Sequence, residues 1–193
     1  STFKTRMNAD LTVQHFKDSI KAVTVNLARA GTYPSHICYD FLHTILKPEN
    51  VRQDHIFAAR KTNSAEEVTG TTLNSYKIGG EIDDRFVLFP DPMGATGGTI
   101  LTAIDYYEKN IPGKPANYVA LHLIVTPEYL KKVFTQRPDI KIFALRVDRG
   151  LSPEAVLKSE PGLLWDQEKG LNEKQYIVPG AGGLGELLNN SFV

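Results

Sequence analysis

Residues 86–99 read Phe-Val-Leu-Phe-Pro-Asp-Pro-Met-Gly-Ala-Thr-Gly-Gly-Thr. An apolar run ends in a carboxylate, Asp91, and small residues then lead into the apolar face of a helix at Ile100, Leu101 and Ile104. A strand, an acid, a glycine loop and a helix, in that order, suit a sugar phosphate. Backbone N–H groups from Ala95 to Thr99 can wrap an anion at a helix N-terminus, where the aligned peptide dipoles also favour negative charge. Gly97 and Gly98 let the backbone approach a phosphate with no Cβ in the way. Thr96 and Thr99 add hydroxyl donors, and Asp91 can accept hydrogen bonds from ribose hydroxyls. A Walker loop needs Lys after its glycines and a dinucleotide fingerprint needs Gly-x-Gly-x-x-Gly; the stretch has neither. An ordinary turn between strand and helix would use the same glycines, so the loop gains its meaning from its company.

Two further segments supply that company. Val25-Asn26-Leu27-Ala28-Arg29-Ala30-Gly31 ends a β-branched run on an arginine, and Tyr176-Ile177-Val178-Pro179-Gly180-Ala181-Gly182 forms a second glycine loop. In this order the three resemble the loops of type I phosphoribosyltransferases. The wording Asp-Pro-Met-x-Ala-Thr-Gly-Gly-Thr resembles the uracil phosphoribosyltransferases in particular. The likeness runs from about Val23 to the C-terminus.

The resemblance implies a set of roles. Asp91, Pro92, Met93, Gly94, Ala95, Thr96, Gly97, Gly98 and Thr99 would hold the 5′-phosphate and ribose of phosphoribosyl pyrophosphate. Arg29 would bind pyrophosphate and, with Asp91, serve catalysis; a guanidinium suits that task because its planar donors match phosphate oxygens. Arg60 or Lys61 would add a second cation, a local length difference leaving the choice between them open. Ile177, Gly182, Gly183 and Leu184 would present backbone groups to uracil. The implied reaction joins uracil to phosphoribosyl pyrophosphate and yields uridine monophosphate and pyrophosphate. Mg²⁺ would be bound mainly through pyrophosphate, and a homodimer or higher homo-oligomer is implied.

The departures from that family matter as much. Its base loop continues Gly-Asp-x-Gly-Asp, whereas this chain continues Gly182-Gly183-Leu184-Gly185-Glu186. Gly183 thus stands where the first acid is expected, which implies weakened or absent turnover. The alternative reading is a catalytically weak or inactive homologue acting as a nucleotide-binding, regulatory or assembly protein. A different base is a third option. Residues 152–174 form an insertion before the base loop. Within it, Leu171-Asn172-Glu173 resembles a second copy of wording that normally precedes that loop.

Composition narrows the class. The 193 residues, 41% of them hydrophobic, suit a single domain over 1–193 with one core. With 22 basic and 22 acidic residues there is no global basic field for nucleic acid or an anionic membrane. One cysteine, Cys38, excludes an internal disulfide and a cysteine-based zinc site. The five histidines, His15, His36, His43, His55 and His122, show no metal-ligand spacing, so surface or core roles are expected. No apolar run is long enough to span a bilayer and no signal-peptide pattern opens the chain, so a cytoplasmic setting is expected.

The elements follow from periodicity. A short helix is expected within 11–20, and strands at 22–27, 55–59, 85–89, 118–125 and 140–147. Helices are expected over 35–46, 97–109 and from Thr126-Pro127-Glu128 to about Gln136, the last opened by an N-cap, a first-turn proline and an acid. Residues 62–84 are polar and glycine-bearing and predict a protruding hairpin arm. The fold expected is α/β, a central mostly parallel sheet flanked by helices, with ligands beyond the carboxyl ends of the strands. Trp165 would pack on the core. Lys158, Glu160, Asp166, Glu168 and Lys169 predict a solvated face of the insertion.

Overall fold

The computed structural model describes residues 2–12, 15–62 and 68–190; the side chains of Phe3, Leu11, 59–62 and 68–72 lie outside that description. A small antiparallel ribbon comes first, β1 (Thr2–Lys4) on β2 (Asp10–Thr12). Among the described residues of 11–20 no helix forms: Thr12 belongs to that ribbon, and residues 15–20 are irregular chain and turn.

The main sheet holds β3 (Lys21–Ala28), β4 (Val51–Thr62), β5 (Val68–Lys77), β6 (Arg85–Pro90), β7 (Met93–Gly94), β8 (Asn117–Val125) and β9 (Lys141–Val147). The order is β5-β4-β3-β6-β8-β9, and β7 carries the line of β6 onward along β8 after a break at Asp91 and Pro92. All these pairs are parallel except β4–β5. Among the described residues, five helices accompany them: α1 (Thr32–Ile45), α2 (Gly98–Asn110), α3 (Pro127–Gln136), α4 (Glu154–Leu157) and α5 (Leu184–Asn189). Strand–helix alternation thus produces the mostly parallel α/β sheet that the sequence predicts.

One continuous core lies between the sheet and the helices α2 and α3. Val23, Val25, Val87 and Phe89 from the strands meet Ile100, Ile104, Tyr107, Tyr129 and Val133 from the helices, all fully or nearly fully buried. Each such aliphatic or aromatic side chain contributes roughly 1.5–3 kcal/mol on leaving water. The opposite layer is thinner. The apolar residues of α1 that suggest a buried stripe, Ile37 and Phe41, remain 50% and 60% exposed, and Ser35 is the helix's buried residue.

The hairpin arm is longer on one side than expected and shorter on the other. It is built from β4 and β5 themselves, paired from His55↔Lys77 to Thr62↔Val68. Beyond β5 the chain turns inward. Ile82 is fully buried, and Arg52 donates to the carbonyls of Gly80 (3.0 Å) and Glu81 (2.9 Å). Residues 78–84 are therefore pinned to the base of the sheet rather than protruding.

The same region contains a buried polar knot. Asp54 is fully buried and takes both ends of the Arg52 fork at 3.0 and 3.2 Å. It also accepts from Gly79 N–H (2.9 Å) and the Tyr107 hydroxyl (2.8 Å). Four donors on one carboxylate are what a buried charge needs to offset its lost hydration.

Candidate active site

The three sequence loops meet in one cleft of about 580 Å³ at the carboxyl ends of β3, β6, β7 and β8. Leu27 to Ala30, Asp91, Met93 to Gly97, Thr99, and most of 175–186 line it. Of the residues singled out from sequence, Arg29, Asp91, Met93, Gly94, Ala95, Thr96, Gly97, Thr99, Ile177, Gly182, Gly183 and Leu184 line the cleft. Pro92 and Gly98 do not line it. Pro92 acts behind the loop, its carbonyl accepting from Leu123 and Ile124 N–H at 3.0 Å each, and Gly98 opens α2. The Arg60 and Lys61 side chains fall outside the described ones.

The phosphate loop is held from below. Thr126, fully buried, caps α3 by accepting from Tyr129 N–H (2.9 Å) and donates to the Ala95 carbonyl (2.6 Å). Thr126 N–H also binds the Gly94 carbonyl at 3.0 Å. The first N–H groups of α2, at Gly98 and Thr99, have no acceptor within the helix and sit at its positive end. Gly97, the N-cap, has φ +75° and lies against α3, where a Cβ would come within 2.8 Å of Val133 Cγ2. A valine at 97 would therefore push into the core as well as hinder the approach of a phosphate.

Asp91 turns the chain out of the sheet. Its Oδ1 accepts from Met93 N–H at 3.2 Å. Directly beneath it lies a residue the sequence left among scattered histidines. His122 is buried, with Nδ1 2.5 Å from the Asp91 carbonyl oxygen and Nε2 2.7 Å from the Tyr129 hydroxyl. A carbonyl can only accept, so Nδ1 carries the proton and Nε2 accepts from tyrosine; a neutral imidazole satisfies both. Burial pushes the His122 pKa down to about 4, the bond to the Asp91 carbonyl opposing only part of that. Burial, and then the Asp91 charge, raise the Tyr129 hydroxyl far above its ordinary value. The only sequence signal for His122 is its place near the carboxyl end of β8, in step with the inward Ala120 and Ile124.

A depressed histidine pKa has a definite sign. The unfolded chain takes up the proton near pH 6.5 and the folded chain only near 4, so stability is full above about pH 6.5 and falls as pH drops toward 4. His122→Gln should flatten that acid slope, worth at most about 3 kcal/mol from the same pKa difference. Denaturant titrations at pH 7 and pH 4.5 check it; equal slopes in both proteins would place the proton uptake elsewhere.

The loop at 176–182 is carried by the segment that precedes it. Leu171 and Ile177 bridge to each other and pack with Ile124, Met93 and Ala95 in a second small core. Asn172 Oδ1 accepts from Lys174 N–H and Tyr176 N–H at 3.0 and 2.9 Å, closing the turn. Glu128 fixes the entry to it by accepting from Gly170 and Leu171 N–H. The repeated wording at 171–173 is thus the first limb of a hairpin that seats the base loop against the phosphate loop. Asp148 anchors the far side, bound by Gly180 N–H (2.8 Å) and paired with Arg146 (2.5 Å).

One expectation for the insertion is corrected. Glu168 is no part of a solvated face. It is buried, paired with Arg149 at 3.0 Å, and accepts from Gly162 N–H at 2.7 Å. Arg149 also donates to the Ser159 carbonyl, so one internal ion pair gathers the insertion's loops. Lys158, Glu160, Asp166 and Lys169 are exposed, and Trp165 is half-buried with Lys131 Nζ 5.5 Å above its ring.

A sequence model of uracil phosphoribosyltransferase matches residues 4–163. The chain belongs to the uracil phosphoribosyltransferase family. The match takes in the arginine and phosphate loops and stops before the base loop, whose likeness rests on its own wording. A uracil phosphoribosyltransferase of Streptococcus mutans is 38% identical over 112 residues, 58% of this chain and 43% of that protein. The chain spans about half the length of the curated relatives it matches, 43–55%. Among solved structures, the AQ2163 protein of Aquifex aeolicus superposes on 100% of this chain and 76% of its own, with a TM-score of 0.66 and 22% identity. Trypanosoma brucei adenine phosphoribosyltransferase, described with AMP, pyrophosphate and ribose-5-phosphate, gives 0.50 over 68% of this chain and 58% of its own, at 13% identity. The fold of this family member is that of type I phosphoribosyltransferases, and none of its described helices is long and apolar enough to cross a membrane.

Proposed function

We propose that the cleft transfers a phosphoribosyl group from phosphoribosyl pyrophosphate to uracil. The observation that carries this reading is the convergence of the arginine, phosphate and base loops on one cleft. The α2 N-terminus and the threonines of the loop receive the 5′-phosphate. Asp91 accepts from the ribose hydroxyls, and Arg29 steadies the pyrophosphate as it leaves. Backbone groups of Ile177 and the glycines after it read the polar edge of the base, which gives specificity at little steric cost. An oxocarbenium-like transition state needs little from the protein beyond position and charge, so these fixed donors supply most of the catalysis.

Among the described residues no three His, Cys, Asp or Glu side chains gather as metal ligands, while Asp91 and Glu186 line the cleft. That donor set fits a hydrated Mg²⁺ carried in on pyrophosphate, with Asp91 as a nearby carboxylate. When bound, the ion neutralises charge on the leaving group. A homo-oligomer belongs to the same reading, and the exposed Tyr33, Ile37 and Phe41 of α1 support it.

The second reading, a homologue that binds nucleotide without turning it over, is favoured by Gly183 alone. Calorimetric titration with phosphoribosyl pyrophosphate, uracil and uridine monophosphate separately tests the cleft. Micromolar binding of phosphoribosyl pyrophosphate and uridine monophosphate is expected; no heat with either refutes a phosphoribosyl site of any kind.

A further inference from the structure

We propose that Gly183 and Glu186 act as one unit: the glycine leaves a space, and the longer acid three residues on fills it with a carboxylate that holds Arg29 at the lip of the cleft. The proposal rests on the reading of the cleft given above.

The geometry is local. Helix α5 begins directly after Gly183, and Leu187 N–H binds the Gly183 carbonyl at 3.0 Å, so residues 183 and 186 lie one turn apart on one face. A Cβ at 183 would fall on the Glu186 carboxylate, in contact with Oε2 and 3.0 Å from Cδ. A side chain at 183 and the carboxylate of 186 therefore compete for one volume. The other oxygen, Oε1, lies 2.5 Å from Arg29 Nη2. Asn189 Nδ2 adds a bond to the Arg29 carbonyl at 3.3 Å. Arg29, Gly183 and Glu186 all line the cleft.

The family wording Gly-Asp-x-Gly-Asp implies acids at both 183 and 186; here 183 is glycine, and the Glu186 carboxylate, one methylene longer than an aspartate's, lies where a side chain at 183 would begin. Glu186 is thus a positioning residue. A charge-assisted bond fixes the guanidinium, so less side-chain freedom is lost when an anion arrives. Helix α5 is tied to the loop after β3 by the same contact.

The test compares the parent chain, Glu186→Gln, Gly183→Asp and the double variant Gly183→Asp with Glu186→Ala, each titrated with phosphoribosyl pyrophosphate and Mg²⁺. Glu186→Gln should weaken binding roughly three- to tenfold, the size of a charge-assisted bond discounted for a pair about one-third exposed. Gly183→Asp should weaken it too, because two carboxylates then crowd one volume. The double variant should return to within about twofold of the parent, since the acid has been moved and not removed. Unfolding midpoints read the shared volume without ligand. Gly183→Asp should lower the midpoint by roughly 2–4 °C when Glu186 is present, a shift of ordinary single-substitution size. In a Glu186→Ala background the same substitution should leave the midpoint unchanged. Tighter binding from Gly183→Asp alone, or additive losses in the double variant, would overturn the proposal. Intact binding with no coupling in the midpoints would overturn the shared volume only. Coupled midpoints in a parent that binds no phosphoribosyl pyrophosphate would overturn the reading of the cleft, and the role of the pair with it.

Discussion

Asp91→Asn is expected to weaken phosphoribosyl pyrophosphate binding about a hundredfold while leaving the chain folded. Asparagine keeps the oxygen that accepts from Met93 N–H, so the turn out of β6 survives. It also keeps the backbone carbonyl on which His122 rests. What it removes is the negative charge, and half of the acceptor capacity that two ribose hydroxyls would use. A hydrogen bond to a charged group contributes roughly 1.5–3 kcal/mol, and the upper end of that range is about a hundredfold. Calorimetry on the variant, with circular dichroism to confirm the fold, measures it. A loss under threefold would mean that the ribose does not contact this carboxylate.

The largest effect on stability should come from a residue far from the cleft. Asp54→Ala is expected to cost about 3–5 kcal/mol, because removing one partner of a buried ion pair leaves the other charge uncompensated. The Tyr107 hydroxyl, fully buried and bound only 2.8 Å from that carboxylate, loses its acceptor as well. Burial, the larger cause of its raised pKa, still holds the Tyr107 hydroxyl in its protonated form when Asp54 is gone, so it cannot escape the loss by ionising. For a chain of this size the midpoint should fall by roughly 10 °C. Thermal unfolding of parent and variant checks the figure, and a fall below about 2 °C would show that water replaces the carboxylate at little cost. Arg149→Ala should by comparison act on the insertion, since its partner Glu168 is tied to the loops there rather than to the main core.

These two carboxylates show what the sequence can and cannot reveal. Asp91 is legible because an apolar strand, small residues and a helix start surround it, and each of those is a local signal. The helices α2 and α3 are legible for the same reason: their caps and apolar spacing lie within a dozen residues. Asp54 carries no such sign. Its four donors come from β4, the segment after β5 and α2, and only the folded chain brings them together. His122 is missed likewise, since its partners lie 31 and 7 residues away. Glu168 looks like one more charge in a polar insertion until Arg149 closes on it. At Gly183 the family wording implies a missing acid, and only the fold shows that the Glu186 carboxylate lies where a side chain at 183 would begin. The exposed stripe of α1 marks the converse limit: helical spacing predicts an apolar face, but not what that face meets.

The most direct test of the central claim is a transfer assay with radiolabelled uracil, phosphoribosyl pyrophosphate and Mg²⁺. Labelled uridine monophosphate that appears with time, requires phosphoribosyl pyrophosphate and falls sharply in Asp91→Asn is the expected result. A chain that binds phosphoribosyl pyrophosphate yet forms no labelled nucleotide would contradict transfer to uracil and leave the nucleotide-binding reading in its place.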